Sequence, residues 1–235
     1  MCDAGSHKNL LSRITLGAFF SCLMCSPVHA HDFKVGDITV DHPYAIPTVA
    51  TQATGAVYFR NLPAWVPIPV VPLDNPMTNA KVELGRHLFY DTRLSADKSM
   101  SCASCHQPDK AFTDGLSVSE GITGEKGARS AMSLANVAYL PVLTWANPQV
   151  TSLEVQALIP LFGEHPVEMG MAGKEKDLFA RLQAESVYRR LFARAFPEEA
   201  RRGLDALYSL GTVTKAIASF QRSLLSFDSP YDRYK

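Results

Sequence analysis

Met100-Ser101-Cys102-Ala103-Ser104-Cys105-His106 decides how the rest of the chain is read, because Cys-x-x-Cys-His is the attachment signal of a c-type haem. The spacing follows from the cofactor. Two thiols three positions apart share one turn and add to the two vinyl groups of the porphyrin, while the adjacent imidazole lies under the ring and reaches iron. Cys102 and Cys105 are therefore expected to form thioethers, and His106 to be the proximal ligand of one haem. A thioredoxin-like dithiol and half of a zinc site are the competing readings. The first has no use for the neighbouring His, and the second needs further Cys or His ligands close by.

Around this motif the chain has 235 residues, 46% apolar and 20% charged, a globular composition long enough for one core or one core plus an appendage. Twenty-three basic residues balance 23 acidic ones, so nothing in the bulk charge points to nucleic acid or an anionic membrane. Residues 1–30 are expected to be a signal peptide: Lys8 and Arg13 precede an apolar run from Ile14 to Met24, and Val28-His29-Ala30 is an Ala-x-Ala-like cleavage site. A single-pass anchor is the alternative, but the run is short of the ~20 residues that span a bilayer. Cleavage after Ala30 removes Cys2, Cys22 and Cys25 and leaves Cys102 and Cys105 as the thiols of the mature chain. No disulfide and no stable membrane association are then expected, and a c-type cytochrome exported in this way belongs in the bacterial periplasm.

From His31 to Leu62 the pattern suggests a small β element: Phe33, Val35, Ile38 and Val40 alternate around a Gly36-Asp37 turn, and Gly55 to Phe59 reads as a second strand. It is too short to bury a core of its own. Pro63, Pro67, Pro69, Pro72 and Pro76 make residues 63–76 a stiff, extended linker. Beyond it, residues 77–235 are predicted to be an all-α haem domain, so that the fold class is mainly α, a cytochrome c-like haem domain with a small N-terminal β element. Helices are predicted from Thr78 or Asn79 to Tyr90, over Ser133–Leu140, from Ser152 until Pro160 stops it, over Glu175–Ala184, Val187–Phe196, and Thr212–Phe227 capped by Thr212. Gly85 would allow a close approach of another helix or the haem, and Asp109 to Arg129 is a long Gly-rich loop.

Two resemblances extend this reading. Val35 to Ala45 and Thr54 to Phe59 resemble the opening strands of PCu(A)C-type periplasmic copper chaperones, but that family's later His and Met ligands have no counterpart, so the activity does not carry over. A freed amine at His31 could still chelate copper, against the plainer reading of a solvated terminal His. Lys81-Val-Glu-Leu-Gly-Arg-His-Leu-Phe-Tyr-Asp-Thr-Arg-Leu-Ser95, Ser101 to His106, Ala111-Phe-Thr-Asp-Gly115, Ser133 to Tyr139, Glu168-Met-Gly170 and Ser229-Pro-Tyr-Asp-Arg-Tyr234 resemble the bacterial di-haem cytochrome c peroxidase and MauG superfamily. Arg129 to Tyr139 together with Gly163-Glu-His-Pro-Val-Glu168 is most similar to its MbnH-type branch, whose members oxidise a tryptophan on a copper-binding partner.

The resemblance implies that hydrogen peroxide forms high-valent iron at the His106 haem, with Gln156 and Glu168 on the distal side to move a proton between the peroxide oxygens. It implies that Trp145 carries oxidising equivalents away and that Arg129 binds a haem propionate. Each has a plainer alternative: a polar helix position for Gln156, a surface acid for Glu168, a core ring for Trp145 and a solvated Arg129. The partner it implies is a redox protein, either a copper-binding MbnP-like protein or a small cytochrome. Ile122 to Ala128 lacks the His that caps the iron in peroxidases needing reductive activation, so an open site is expected. Ser130 stands where those enzymes place an Asn beside an inter-haem calcium, which weakens the case for calcium. The family's second haem motif lies beyond Ser229 to Tyr234, so one attached haem is expected here. A mono-haem electron carrier, or an inactive fragment, is the alternative function.

Overall fold

In the computed structural model, residues 58–234 are described. The first long helix, α1 (Asn79–Tyr90), starts where its capping residue says it should: Thr78 is extended and its hydroxyl accepts from the Lys81 N–H at 3.1 Å. Lys81, Leu84, Gly85, Leu88 and Phe89 form its buried face, the spacing of one helical stripe. A single turn, α2 (Cys102–Cys105), carries the haem motif, followed by a long irregular stretch with a 3-10 turn at Val137–Tyr139. Two short helices, α3 (Leu153–Gln156) and α4 (Leu158–Phe162), lead to α5 (Glu175–Ala184), α6 (Ser186–Ala195), α7 (Pro197–Arg202), α8 (Leu204–Leu207), α9 (Leu210–Arg222) and α10 (Pro230–Tyr234). Three isolated β-bridges are the only extended pairings among the described residues. No helix among them is long and apolar enough to cross a membrane.

α9 is the axis of the core. Ser209 and Thr212 cap its start reciprocally: the Ser209 N–H donates to Thr212 Oγ1 at 3.2 Å and the Thr212 N–H to Ser209 Oγ at 3.3 Å. Val213, Ala216, Ile217 and Phe220 are buried along it. α1 crosses α9 at Gly85, where an added Cβ would lie 1.9 Å from the Ala216 carbonyl oxygen and 2.9 Å from Phe220 Cβ. Tyr188, Leu191, Phe192 and Ala195 of α6 and Leu178 and Leu182 of α5 complete the main core. A second cluster, with Phe89, Leu134, Val137, Leu143, Leu153 and Phe220, holds Cys102 and Phe112 at its edge.

A buried polar network ties these layers together. Arg222 Nη2 donates to both Glu154 oxygens at 3.0 and 3.1 Å, Asn75 Nδ2 donates to Glu154 at 2.7 Å, and Lys81 Nζ donates to Asn75 Oδ1 at 3.1 Å. Burial pushes the Glu154 carboxyl up, but the Arg222 charge and then the Asn75 and Ser152 hydrogen bonds outweigh it and hold the group below the ordinary carboxylate range. α3 is thereby fixed to α9, and the Pro-rich segment to α1. Residues 63–76 contain two turns, closed by the Val66 N–H on the Pro63 carbonyl at 2.9 Å and the Asn75 N–H on the Pro72 carbonyl at 3.1 Å; Val66, Val71 and Asn75 are buried, and the Tyr139 hydroxyl donates to the Pro67 carbonyl at 2.7 Å.

Several local expectations are corrected. The signal peptide, His31 and the β element as far as residue 57 lie outside the described residues. Where the second expected strand is described, Tyr58 is helical and Phe59 sits in a turn closed by Leu62 N–H on the Phe59 carbonyl at 3.1 Å, so a β element is not supported. A short apolar run does not distinguish strand from helix, and here Phe59 packs on Val71 and Met77. The helix expected over Ser133–Leu140 is reduced to its 3-10 turn because Asn136 is left-handed at φ +58°, its amide tied to the Ser226 backbone. Pro160 does not stop a helix; it occupies the first turn of α4, where its missing N–H costs little. The last of the predicted helices begins at Leu210, two positions before Thr212, and ends at Arg222 instead of Phe227.

Gly85→Ala should destabilise the fold by about 3 kcal/mol or more, because the new methyl meets a backbone carbonyl that cannot rotate away. Urea denaturation of the haem-loaded protein measures this as a lower midpoint at unchanged slope.

Candidate haem-binding site

The Cys-x-x-Cys turn is held from both ends. The Ser101 N–H donates to Ser104 Oγ at 3.0 Å, and the His106 N–H donates to the Cys102 carbonyl at 3.0 Å, so both thiols project from one turn. The chain then folds back: Gln107 N–H donates to Thr113 O at 3.0 Å and Phe112 N–H to Gln107 O at 2.8 Å. Ala111 and Phe112 are both left-handed, at φ +55° and +60°. Backbone of this kind is costly for side-chain-bearing residues and persists only where its surroundings hold it. Here it aims the Phe112 carbonyl at His106 Nδ1, 2.8 Å away. With Nδ1–H donating, Nε2 is the ring nitrogen left to bind a metal.

All seven residues singled out in the sequence border one cavity of about 510 Å³: Cys102, Cys105, His106, Arg129, Trp145, Gln156 and Glu168. Its walls are otherwise largely apolar, with Leu134, Val137, Leu143, Leu153 and Ile217 among them, and its size falls in the ~300–1,000 Å³ range of ligand clefts. Burial pushes the Cys102 thiol up to about 12 and Cys105 up to about 11, which favours the protonated thiols, and both are free in this structure. Burial also lowers His106, against the opposing effect of the Phe112 and Met132 backbone, which favours the neutral imidazole that ligates iron.

Glu168 is half-buried and its carboxyl is raised by burial. Its backbone is clamped by the Gly-rich loop: the Ile122 N–H donates to the Glu168 carbonyl at 2.9 Å, and a Cβ at Gly121 would fall 1.9 Å from the Val167 oxygen. The Glu125 carboxylate accepts from the Val167 N–H at 3.1 Å. On the other side the Met169 N–H donates to Pro160 O at 3.0 Å, which carries the segment on α4. Gln156 closes α3, two residues beyond the buried Glu154 anchor. Trp145 is no core ring: it stands 56% exposed at the rim, with Nε1–H donating to the Ser130 carbonyl at 2.8 Å. Arg129 is exposed at the same rim.

Among the cavity residues that sequence reading did not single out are Met132, His165 and Gln221. Gln221 is 4% exposed and its Oε1 has no hydrogen-bond partner. An orphaned buried acceptor on the wall, two protonated thiols and an imidazole oriented through Nδ1 fit a covalently held haem. Gln221 had no legible signal, since it lies on the stripe of α9 that packing alone would explain.

A helical unit with a thiol pair and an oriented imidazole on an apolar cavity is a c-type haem protein. The family model for di-haem cytochrome c peroxidase matches residues 79–235, and the chain belongs to that family, whose cofactor is haem c. It is 39% identical over 163 residues to the methylamine utilization protein MauG of Methylophilus methylotrophus, covering 69% of this chain and 45% of MauG. It is 38% identical over 195 residues to the cytochrome-c peroxidase IdrP1 of Denitromonas iodatirespirans, covering 81% and 48%. The crystal structure of a MauG-like protein associated with microbial copper homeostasis superposes with a TM-score of 0.70 at 48% identity, covering 74% of this chain and 49% of that one. The chain spans about half the length of the curated relatives it matches.

His106→Gly should keep the porphyrin attached, because both thioethers are intact, and shift the Soret band until added imidazole restores it. Cys102→Ala with Cys105→Ala should lose haem staining on a denaturing gel.

Proposed function

We propose that this chain is an exported, periplasmic peroxide-reacting unit with one haem on Cys102 and Cys105. Its oxidising equivalents pass to a protein partner, an MbnP-like copper-binding protein presenting a tryptophan or a small cytochrome. The observation that carries the reading is the meeting of the haem motif with an uncommitted, half-buried carboxyl and amide on one cavity wall: neither Glu168 nor Gln156 spends its side chain on a protein hydrogen bond. The likeness to a MauG-like protein of copper homeostasis supports the copper-protein partner over the cytochrome.

When bound, the haem supplies an iron that takes up peroxide and the oxidising equivalents released on O–O cleavage. The chain's own residues do the rest. His106 Nε2 holds the metal and the Phe112 carbonyl holds His106. Glu168 would accept a proton from one peroxide oxygen and return it to the other, and the Gln156 amide would orient the peroxide by hydrogen bonding. Arg129, at the rim, pairs with a propionate. Trp145, fixed by Ser130 yet exposed, offers the partner an oxidisable ring at the mouth of the cavity.

One observation favours the electron-carrier reading: Met132 and His165 also border the cavity and either could supply a sixth ligand. The ferric spectrum decides between them. A high-spin ferric EPR signal is expected, and a six-coordinate low-spin spectrum would sink the open-site reading.

Burial raises the Glu168 carboxyl, and it acts as proton acceptor only when ionised. The rate of reaction with peroxide should therefore rise with pH, through a midpoint above that of a free carboxylate. Glu168→Gln should lower that rate about 10²- to 10⁴-fold and flatten the pH dependence, as read by stopped-flow Soret changes.

A further inference from the structure

A second cleft lies outside the haem cavity. It has a volume of about 410 Å³ and sits where the end of α1 meets α6, lined by Arg86, His87, Tyr90, Asp91, Arg93 and Tyr188. The established site does not use it. A chain of rings nevertheless connects the two. The His106 ring lies 6.3 Å, centroid to centroid, from Phe89, which is fully buried, and Phe89 lies 5.3 Å from Tyr90. Phe220 packs against both, at 5.1 and 6.2 Å, so no solvent gap interrupts the path. Tyr90 then emerges 44% exposed in the cleft. Closely packed rings shorten electron tunnelling, and of this series the phenol is the one that water-soluble donors can reach and that loses an electron readily. Tyr188, the other phenol of the cleft, is buried, donates to Asp91 at 2.5 Å, and has its ring against Phe192, away from His106.

The charges in the cleft discriminate between donors. Arg93 is engaged by Asp91 at 3.0 Å and Glu185 at 2.9 Å. Arg86 is exposed at the rim and makes no ion pair or side-chain hydrogen bond among the described residues, so its guanidinium is available to an anionic group on the donor. The volume suits a ring-sized molecule.

We propose that Tyr90 is a redox-active residue through which a small anionic one-electron donor, bound in this cleft, reduces the haem from its proximal side. The proposal rests on the peroxidase reading above. The balance is H2O2 + 2 e⁻ + 2 H⁺ → 2 H2O. For each electron, the Tyr90 O–H bond breaks, the electron passes by way of Phe89 and His106 to the peroxide-oxidised haem, and the proton goes to water in the cleft. The donor then returns one electron and one proton to the phenoxyl oxygen and leaves as its own one-electron-oxidised radical, so two donors are consumed per peroxide.

The test uses the haem-loaded full chain, mixed with peroxide without donor and freeze-quenched, with Soret absorbance and EPR read on the same samples. The wild type should show a tyrosyl radical that Tyr90→Phe, which keeps the ring contacts, lacks. Ascorbate, the anionic probe, should quench that radical at least threefold more slowly in Arg86→Gln. A Soret change accompanied by an equal tyrosyl yield in Tyr90→Phe overturns the relay and leaves the peroxidase reading standing. No Soret change in the wild type overturns both. Equal quenching in Arg86→Gln overturns the choice of an anionic donor.

Discussion

The crossing of α1 over α9 at Gly85 is the constraint on which the rest of the structure depends. With no side chain at Gly85, the α1 backbone comes within van der Waals reach of the Ala216 carbonyl, and everything downstream of that approach follows. It sets Phe89 against Phe220 at 5.1 Å and brings Phe89 to the imidazole of His106. It also brings Ile217 and Gln221 of α9 to the wall of the same cavity that the thiols border. A wider crossing would separate the ring chain from the motif it supports.

Loops, not helices, position the groups that do chemistry here, and each is fixed by backbone contacts that tolerate few residue types. The Phe112 carbonyl reaches His106 through two left-handed residues. Glu168 is presented by a segment clamped between Gly121 on one side and Pro160 on the other. Arg181 reinforces the approach to the motif, with Nη1 donating to the Ser95 carbonyl at 2.7 Å and Nη2 to the Ala96 carbonyl at 3.1 Å. These segments are irregular in shape yet densely hydrogen-bonded, as functional loops on a helical scaffold commonly are.

The electrostatics divide into a structural and a reactive part. Glu154 stays ionised although buried because Arg222 and Asn75 meet it directly, and a paired buried charge of this kind is costly to break and indifferent to the reaction. Glu168, without such partners, has its carboxyl raised instead. Two carboxylates on neighbouring segments thus differ in chemistry through their surroundings alone.

Much was legible in the sequence because it depends on spacing within one segment. The Cys102–His106 motif is read from its spacing, and the stripes of α1, α6 and α9 and the helical character of the domain follow from periodicity and local caps; the family resemblance singled out Gln156, Glu168, Trp145 and Arg129, which the fold brings to one cavity. Tertiary contacts decided the rest. Phe59 sits in a turn because Val71 and Met77 receive it, and Ser133–Leu140 fails as a helix because Asn136 is held by the Ser226 backbone some ninety positions away. Gln221, His165 and the Tyr90 cleft escaped sequence reading for the same physical reason: a residue's local pattern reports which face it occupies, while its function depends on which distant surface that face meets.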